Sequence, residues 1–121
     1  VGSMNAHKDV VFIADQIKLE KVTALVMAPK VMDLLLDVHE AGSQLKTLQH
    51  VGVVGEGLPT ALVSRFTTMR NLPARFHNMY GASESSITTW TAPTDPAQWA
   101  GRKMAPVGRP QAGAQVWVLD G

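Results

Sequence analysis

Three short, almost wholly apolar runs, at residues 22–27, 48–54 and 74–79, are separated by segments in which apolar residues recur every three or four positions. That alternation constrains the chain more than any other feature. An unbroken apolar run suits a strand covered on both faces, and a helix between successive runs is the connection a parallel pair requires. The expected fold is α/β, with a mainly parallel sheet, flanking helices and right-handed crossovers.

The punctuation agrees. Asp9 is placed to cap a helix that carries Val10, Ile13, Ala14 and Ile17 on one face. Pro29 suits the first turn of a second helix, with Met32, Leu35, Leu36 and His39 following at helical spacing and Gly42 as its stop. Gly55-Glu56-Gly57 makes a tight turn after the second run, and Pro59 opens a helix with Leu62, Val63, Phe66 and Met69 inward. The third run ends at Tyr80-Gly81. Beyond it, residues 82–121 are loop-rich. Residues 82–86 read as a polar loop, 87–90 as a short strand, 91–106 as a surface connection with three prolines, and 116–119 as a last strand before the turn dipeptide Asp120-Gly121. Trp90 and Trp117 are expected to cover a sheet face, and Met27, Met32 and Met69 to fill the core.

The 121 residues allow one α/β subdomain and no more. Without a clear opening strand, and with a hairpin turn that has no return, the chain reads as an internal segment of a longer protein. Gly2-Ser3-Met4 is either native or a cloning remnant. With 11 basic and 10 acidic side chains, no excess is available to neutralise a row of phosphates, so a nucleic-acid partner is not expected. No cysteine is present, which removes disulfides, thiolate metal sites and cysteine nucleophiles. No membrane span and no leader pattern are read, so a cytoplasmic location is expected.

In an open parallel sheet, ligands bind beyond the carboxyl ends of the strands. Those ends bring Val26, Val54, Met79, Tyr80, Asn78, Glu56 and Glu84 toward one edge. Tyr80 has the face to stack on a purine, Asn78 the amide to read its edge, and Glu84 the carboxylate for a hard cation. Each also has a plainer reading. Tyr80 alone is more simply a tyrosine packed over the sheet end, the glycines a turn, and the serines loop residues. The four histidines show no metal-ligand spacing, and His50 and His77 read as ordinary strand residues. Ser83 lacks the setting of a nucleophile elbow.

Four stretches resemble one family. Residues 78–84, Asn-Met-Tyr-Gly-Ala-Ser-Glu, look like the N-x-Y-G-P-T-E signature of adenylate-forming enzymes, in particular the adenylation domains of nonribosomal peptide synthetases. Residues 45–58 resemble the family's L-R-x-x-x-x-G-G-E-x-L segment. Residues 106–110 with 115–120 resemble P-I-G-R-P followed by Q-V-Y-V-L-D. Residues 22–29 match its V-T-x-x-x-x-x-P strand. The resemblance implies a three-layer, flavodoxin-like subdomain of an adenylation domain, one that selects an amino acid or related carboxylic acid for conversion by ATP and Mg²⁺ into an acyl-adenylate.

It also implies roles. Gly55, Glu56, Gly57, Asn78, Tyr80, Gly81 and Ser83 would meet the nucleotide, and Glu84 the metal. Val26, Gly52, Val54, Met79, Ile87 and Thr88 would line the acyl pocket. None of these six is charged, so an uncharged, mostly hydrophobic acid such as a branched aliphatic or small aromatic one is expected. Ala82 replaces the family's proline, Ser83 its threonine, and Val54 the first glycine of G-G-E. The phosphate loop, the amine-binding and ribose-binding aspartates and the catalytic lysine have no counterpart, so no catalytic residue is assigned. The isolated chain is expected to be inactive, to hold no nucleotide tightly, and either to self-associate through uncovered sheet or to have lowered stability. The rest of an adenylation domain and a carrier protein are the implied partners. A fragment of an acyl-CoA or aryl-acid ligase, or an independent flavodoxin- or receiver-like binding module, are the alternatives.

Overall fold

The computed structural model describes residues 3–38, 41–69, 73–82, 86–91, 96–99 and 101–120. The elements run α1 (Ser3–Leu19), β1 (Ala24–Met27), α2 (Pro29–Leu36), α3 (Ala41–Gln44), β2 (His50–Val53), α4 (Thr60–Thr68), β3 (Arg75–Ala82), β4 (Ser86–Thr91), a 3₁₀ turn (Pro96–Trp99) and β5 (Arg109–Pro110). One sheet holds all five strands in sequential order. β1, β2 and β3 pair in parallel, whereas β3–β4 and β4–β5 are antiparallel. The three apolar runs are therefore the parallel strands, and the sheet is extended by a hairpin.

Sequential order has a consequence for layering. When successive parallel strands advance in one direction with crossovers of one hand, every connecting helix falls on the same face. The core bears this out. Val10, Ala14 and Ile17 of α1, Met32 and Leu35 of α2, Leu45 and Leu48, and Val63 and Phe66 of α4 pack with Val51, Val53 and Phe76. Leu25 and Met27 pack against the same cluster. These strand residues alternate with Ala24, Val26, His50, Gly52, Arg75 and His77, which share the other face. The described helices thus form one layer, and the second layer of the three-layer expectation is not among them.

Several boundaries differ from expectation for identifiable reasons. Asp9 lies inside α1, because the good helix formers before it carry the helix back to Ser3. Pro29 does start α2, but the helix stops at Leu36. Gly42 then sits within the short α3 instead of ending α2. His39 lies outside the described residues. β3 runs on through Tyr80 and Gly81 because β4 continues the pairing after β2 has ended at Val53, with a bulge between Tyr80 and Gly81.

Residues 116–119 form no strand. Trp117 is 77% exposed and Val118 94%, so Trp117 covers no sheet face. None of the described strands pairs with this apolar run, so no ladder of hydrogen bonds holds it extended. Trp99, in contrast, is buried against the core. Met32 is fully buried, and Met27 and Met69 pack against the core, as expected. Among the described residues no helix is long and apolar enough to cross a membrane.

Leu45→Ala, at a fully buried side chain, is expected to cost about 2–5 kcal/mol, whereas Trp117→Ala should stay within about 0.5 kcal/mol. Urea midpoints of the two variants check this.

Candidate functional site

Two clefts meet at Met79. The first, about 270 Å³, is lined by Gly55, Glu56, Gly57, Leu58, Asn78, Met79, Tyr80, Gly81, Ala105 and Val107. The second, about 330 Å³, lies on the open sheet face between Ala24, Leu25, Val26, His50, Gly52, His77 and Met79. The period of two along β3 explains the division. Asn78 and Tyr80 fall on one face of the strand and Met79 on the other, so three consecutive residues serve two sites.

Gly55 holds φ +94°, a left-handed conformation in which a side chain is strained, and this turns the chain sharply out of β2. Asn78 lies on the core face and is buried. A buried amide needs partners, and its side-chain N–H donates to the Pro106 carbonyl at 2.8 Å. That bond orients the amide oxygen as the remaining acceptor. Thr89 on β4 donates its hydroxyl to the Val107 carbonyl at 2.7 Å. Together the two bonds pin residues 106–107 across the hairpin and close one wall of the first cleft. The main-chain N–H of Ala105 donates to the Leu58 carbonyl at 2.8 Å and holds the opposite corner. Tyr80 stays 56% exposed, so its ring face is available to a flat ligand. Glu56 stands 4.0 Å from Lys30, an exposed pair that contributes little to stability.

In the second cleft the strand register sets Val26, Gly52 and His77 in one row. A methyl group added at Gly52 would stand 2.7 Å from Met79 Cε and 3.3 Å from Val26 Cγ2. The absence of a side chain there is what lets Met79 fold over the strand. One step down the sheet, His50 Nδ1 and His77 Nε2 are 3.2 Å apart and their rings stack at 5.5 Å. Burial, with His50 and Arg75 nearby, pulls the His77 pKa below its ordinary 6.5.

Of the residues singled out from sequence, Gly55, Glu56, Gly57, Asn78, Tyr80 and Gly81 come together around the first cleft. Val26, Gly52 and Met79 come together around the second. Val54 lines neither; its N–H donates to the Met27 carbonyl at 3.1 Å beyond the end of β2. Ile87 lies on β4 opposite Gly81 and Thr88 follows it at the bulge. Ser83 and Glu84 lie outside the described residues. Among the described residues no group of three or more His, Asp or Glu side chains could hold a metal. Sequence reasoning missed Leu58, Ala105 and Val107. It also assigned His50 and His77 no role in the cleft. The signal was there in part: both histidines share parity with Gly52 and Met79.

The family described as AMP-binding enzyme matches residues 2–121. Tyrocidine synthase 3 of Brevibacillus parabrevis is 32% identical over 118 residues, covering 96% of this chain and 2% of that protein. Phosphinothricin tripeptide synthetase PhsB of Streptomyces viridochromogenes is 32% identical over 120 residues, covering 96% of this chain and 9% of its own length. Among solved structures, Klebsiella oxytoca NpsA in complex with 3-hydroxyanthranilyl-AMSN superposes with a TM-score of 0.70 at 25% identity, over 84% of this chain and 20% of that one.

Because the His77 pKa is lowered in the fold, the unfolded chain takes up its proton first as pH falls. Stability contributed by the neutral imidazole is present above pH 6.5 and is lost on acidification. The urea midpoint should therefore fall between pH 7.5 and pH 5.5, and His77→Gln should flatten that slope.

Proposed function

The chain belongs to the AMP-binding enzyme family, and from that membership we propose that it forms the acid- and nucleotide-selecting subdomain of a nonribosomal peptide synthetase adenylation domain. The observation that carries the reading is the pair of clefts sharing Met79, one beside Asn78 and Tyr80 and the other apolar around Val26 and Gly52. Two reactants that must meet need adjoining sites, and holding them together is the larger part of what an enzyme contributes to such a displacement.

In this reading Tyr80 stacks on adenine, and the Asn78 amide oxygen accepts from its exocyclic amine. The Gly55–Gly57 backbone and Gly81 border the base, and Ser83 meets the phosphates. Glu84 would be the residue that holds Mg²⁺, a hard cation that prefers oxygen donors and would offset the phosphate charge. The acid lies with its carboxylate toward the nucleotide and its side chain over Gly52, flanked by Val26, Met79, Ile87 and Thr88. The carboxylate attacks the α-phosphate of ATP, forming the acyl-adenylate and releasing pyrophosphate. The open sheet face is covered by the remainder of the adenylation domain, which also supplies the catalytic lysine and the phosphate loop. A carrier protein takes the acyl group from the adenylate.

The test replaces the matching segment of a tyrocidine synthase adenylation domain with this chain and measures ATP–pyrophosphate exchange over a panel of amino and aryl acids. Exchange with a defined acid is expected. A folded chimaera that exchanges with none overturns the reading. Within that chimaera, Tyr80→Ala should raise the KM for ATP about fivefold or more, in line with a lost stacking contact of about 1–3 kcal/mol. Gly52→Val should lower kcat/KM for the preferred acid with little change in the KM for ATP.

A further inference from the structure

The second cleft does not end in apolar side chains. Beyond the row of Val26, Gly52 and His77 it reaches His50, one strand step further from the nucleotide cleft. Along a strand, two residues span about 7 Å, so a ligand atom beside His50 would lie about 7 Å below the level of Gly52. The route between them is covered by the Met79 thioether, which rests over Gly52. An unbranched, flexible side chain of this kind is readily displaced.

The two imidazoles constrain what could sit there. His50 Nδ1 and His77 Nε2 share one hydrogen bond, so one of these nitrogens donates and the other accepts. If His50 Nδ1 carries the proton, its Nε2 is an acceptor. If His77 Nε2 carries it, His50 Nε2 is protonated and donates. A hydroxyl, which both donates and accepts, satisfies either arrangement. A carbonyl suits only one of them. An aliphatic end suits neither, and it would bury the His50 nitrogen without a partner.

We infer that the His50–His77 pair is a specificity-determining end to the acyl pocket, and that the acid selected carries a hydroxyl at the far end of a stem about as long as a phenol ring with one methylene. This rests on the adenylation reading above and narrows its substrate class, from uncharged and mostly apolar to apolar with a hydroxyl tip. His50 is the residue that touches the hydroxyl. His77 is a positioning residue that sets the tautomer of His50.

The chimaera described above supplies the test, with matched pairs that differ only in the hydroxyl: tyrosine against phenylalanine, and 4-hydroxybenzoate against benzoate. The hydroxylated member of at least one pair should be favoured by about tenfold or more in kcat/KM, since a site built to bond a hydroxyl rejects the analogue that lacks it. His50→Phe should bring that pair to near parity while exchange with the apolar member persists. His50→Gln, which keeps a donor and an acceptor, should restore part of the preference. His50 lies on the open face of its strand, so these changes do not disturb the core. Exchange with an apolar preference, or a hydroxyl preference unchanged in His50→Phe, overturns this inference and leaves acid activation standing. A folded chimaera that exchanges with no acid overturns both.

Discussion

The register of three parallel strands is the constraint on which everything else depends. Val26, Gly52 and His77 stand in one row, and Leu25, Val51 and Phe76 in the next. One row faces the cleft and the other faces the helices. A slip of a single residue in any strand would exchange the faces, sending Val51 or Phe76 to the open side and a histidine into the core. Burial of Val51, Val53 and Phe76 under α1, α2 and α4 therefore holds the cleft in place as surely as it holds the fold. The histidine pair depends on the same register, since its two members belong to different strands.

The first cleft depends on a second device. β3 outlasts β2 because β4 returns beside it, and the bulge at Tyr80 and Gly81 reorients the strand end. The hairpin alone would leave that end open on one side. Residues 105–107 close it through bonds to Leu58, Asn78 and Thr89. Asn78 is central to this closure. It is a polar residue on the buried face of a strand, and one bond to Pro106 both satisfies its amide and aims it.

Legibility in the sequence followed the range of the interactions involved. Apolar runs, Pro29, Pro59 and the Gly55 turn are local signals, and they located the parallel strands, two helix starts and the first cleft's glycines. Boundaries were less legible where the competing partner was distant. β3 extends because of β4, and residues 116–119 form no strand, since none of the described strands pairs with them. The same range explains the site. Tyr80, Asn78 and Gly52 were recognisable by motif. Leu58, Ala105 and Val107 were not, because what brings them to the cleft is a set of hydrogen bonds between residues 18 to 47 positions apart.

The order of strands and helices, the family and the chemistry of the residues at the strand ends were written in the chain itself, since periodicity and turn chemistry act over a few residues at a time. Which face those residues share, that Met79 sits between two clefts while Val54 lines neither, and that His50 meets His77 were decided only by tertiary structure. Strand pairing and the bulge are set by burial and hydrogen bonds between segments far apart in sequence, and no local pattern carries that information.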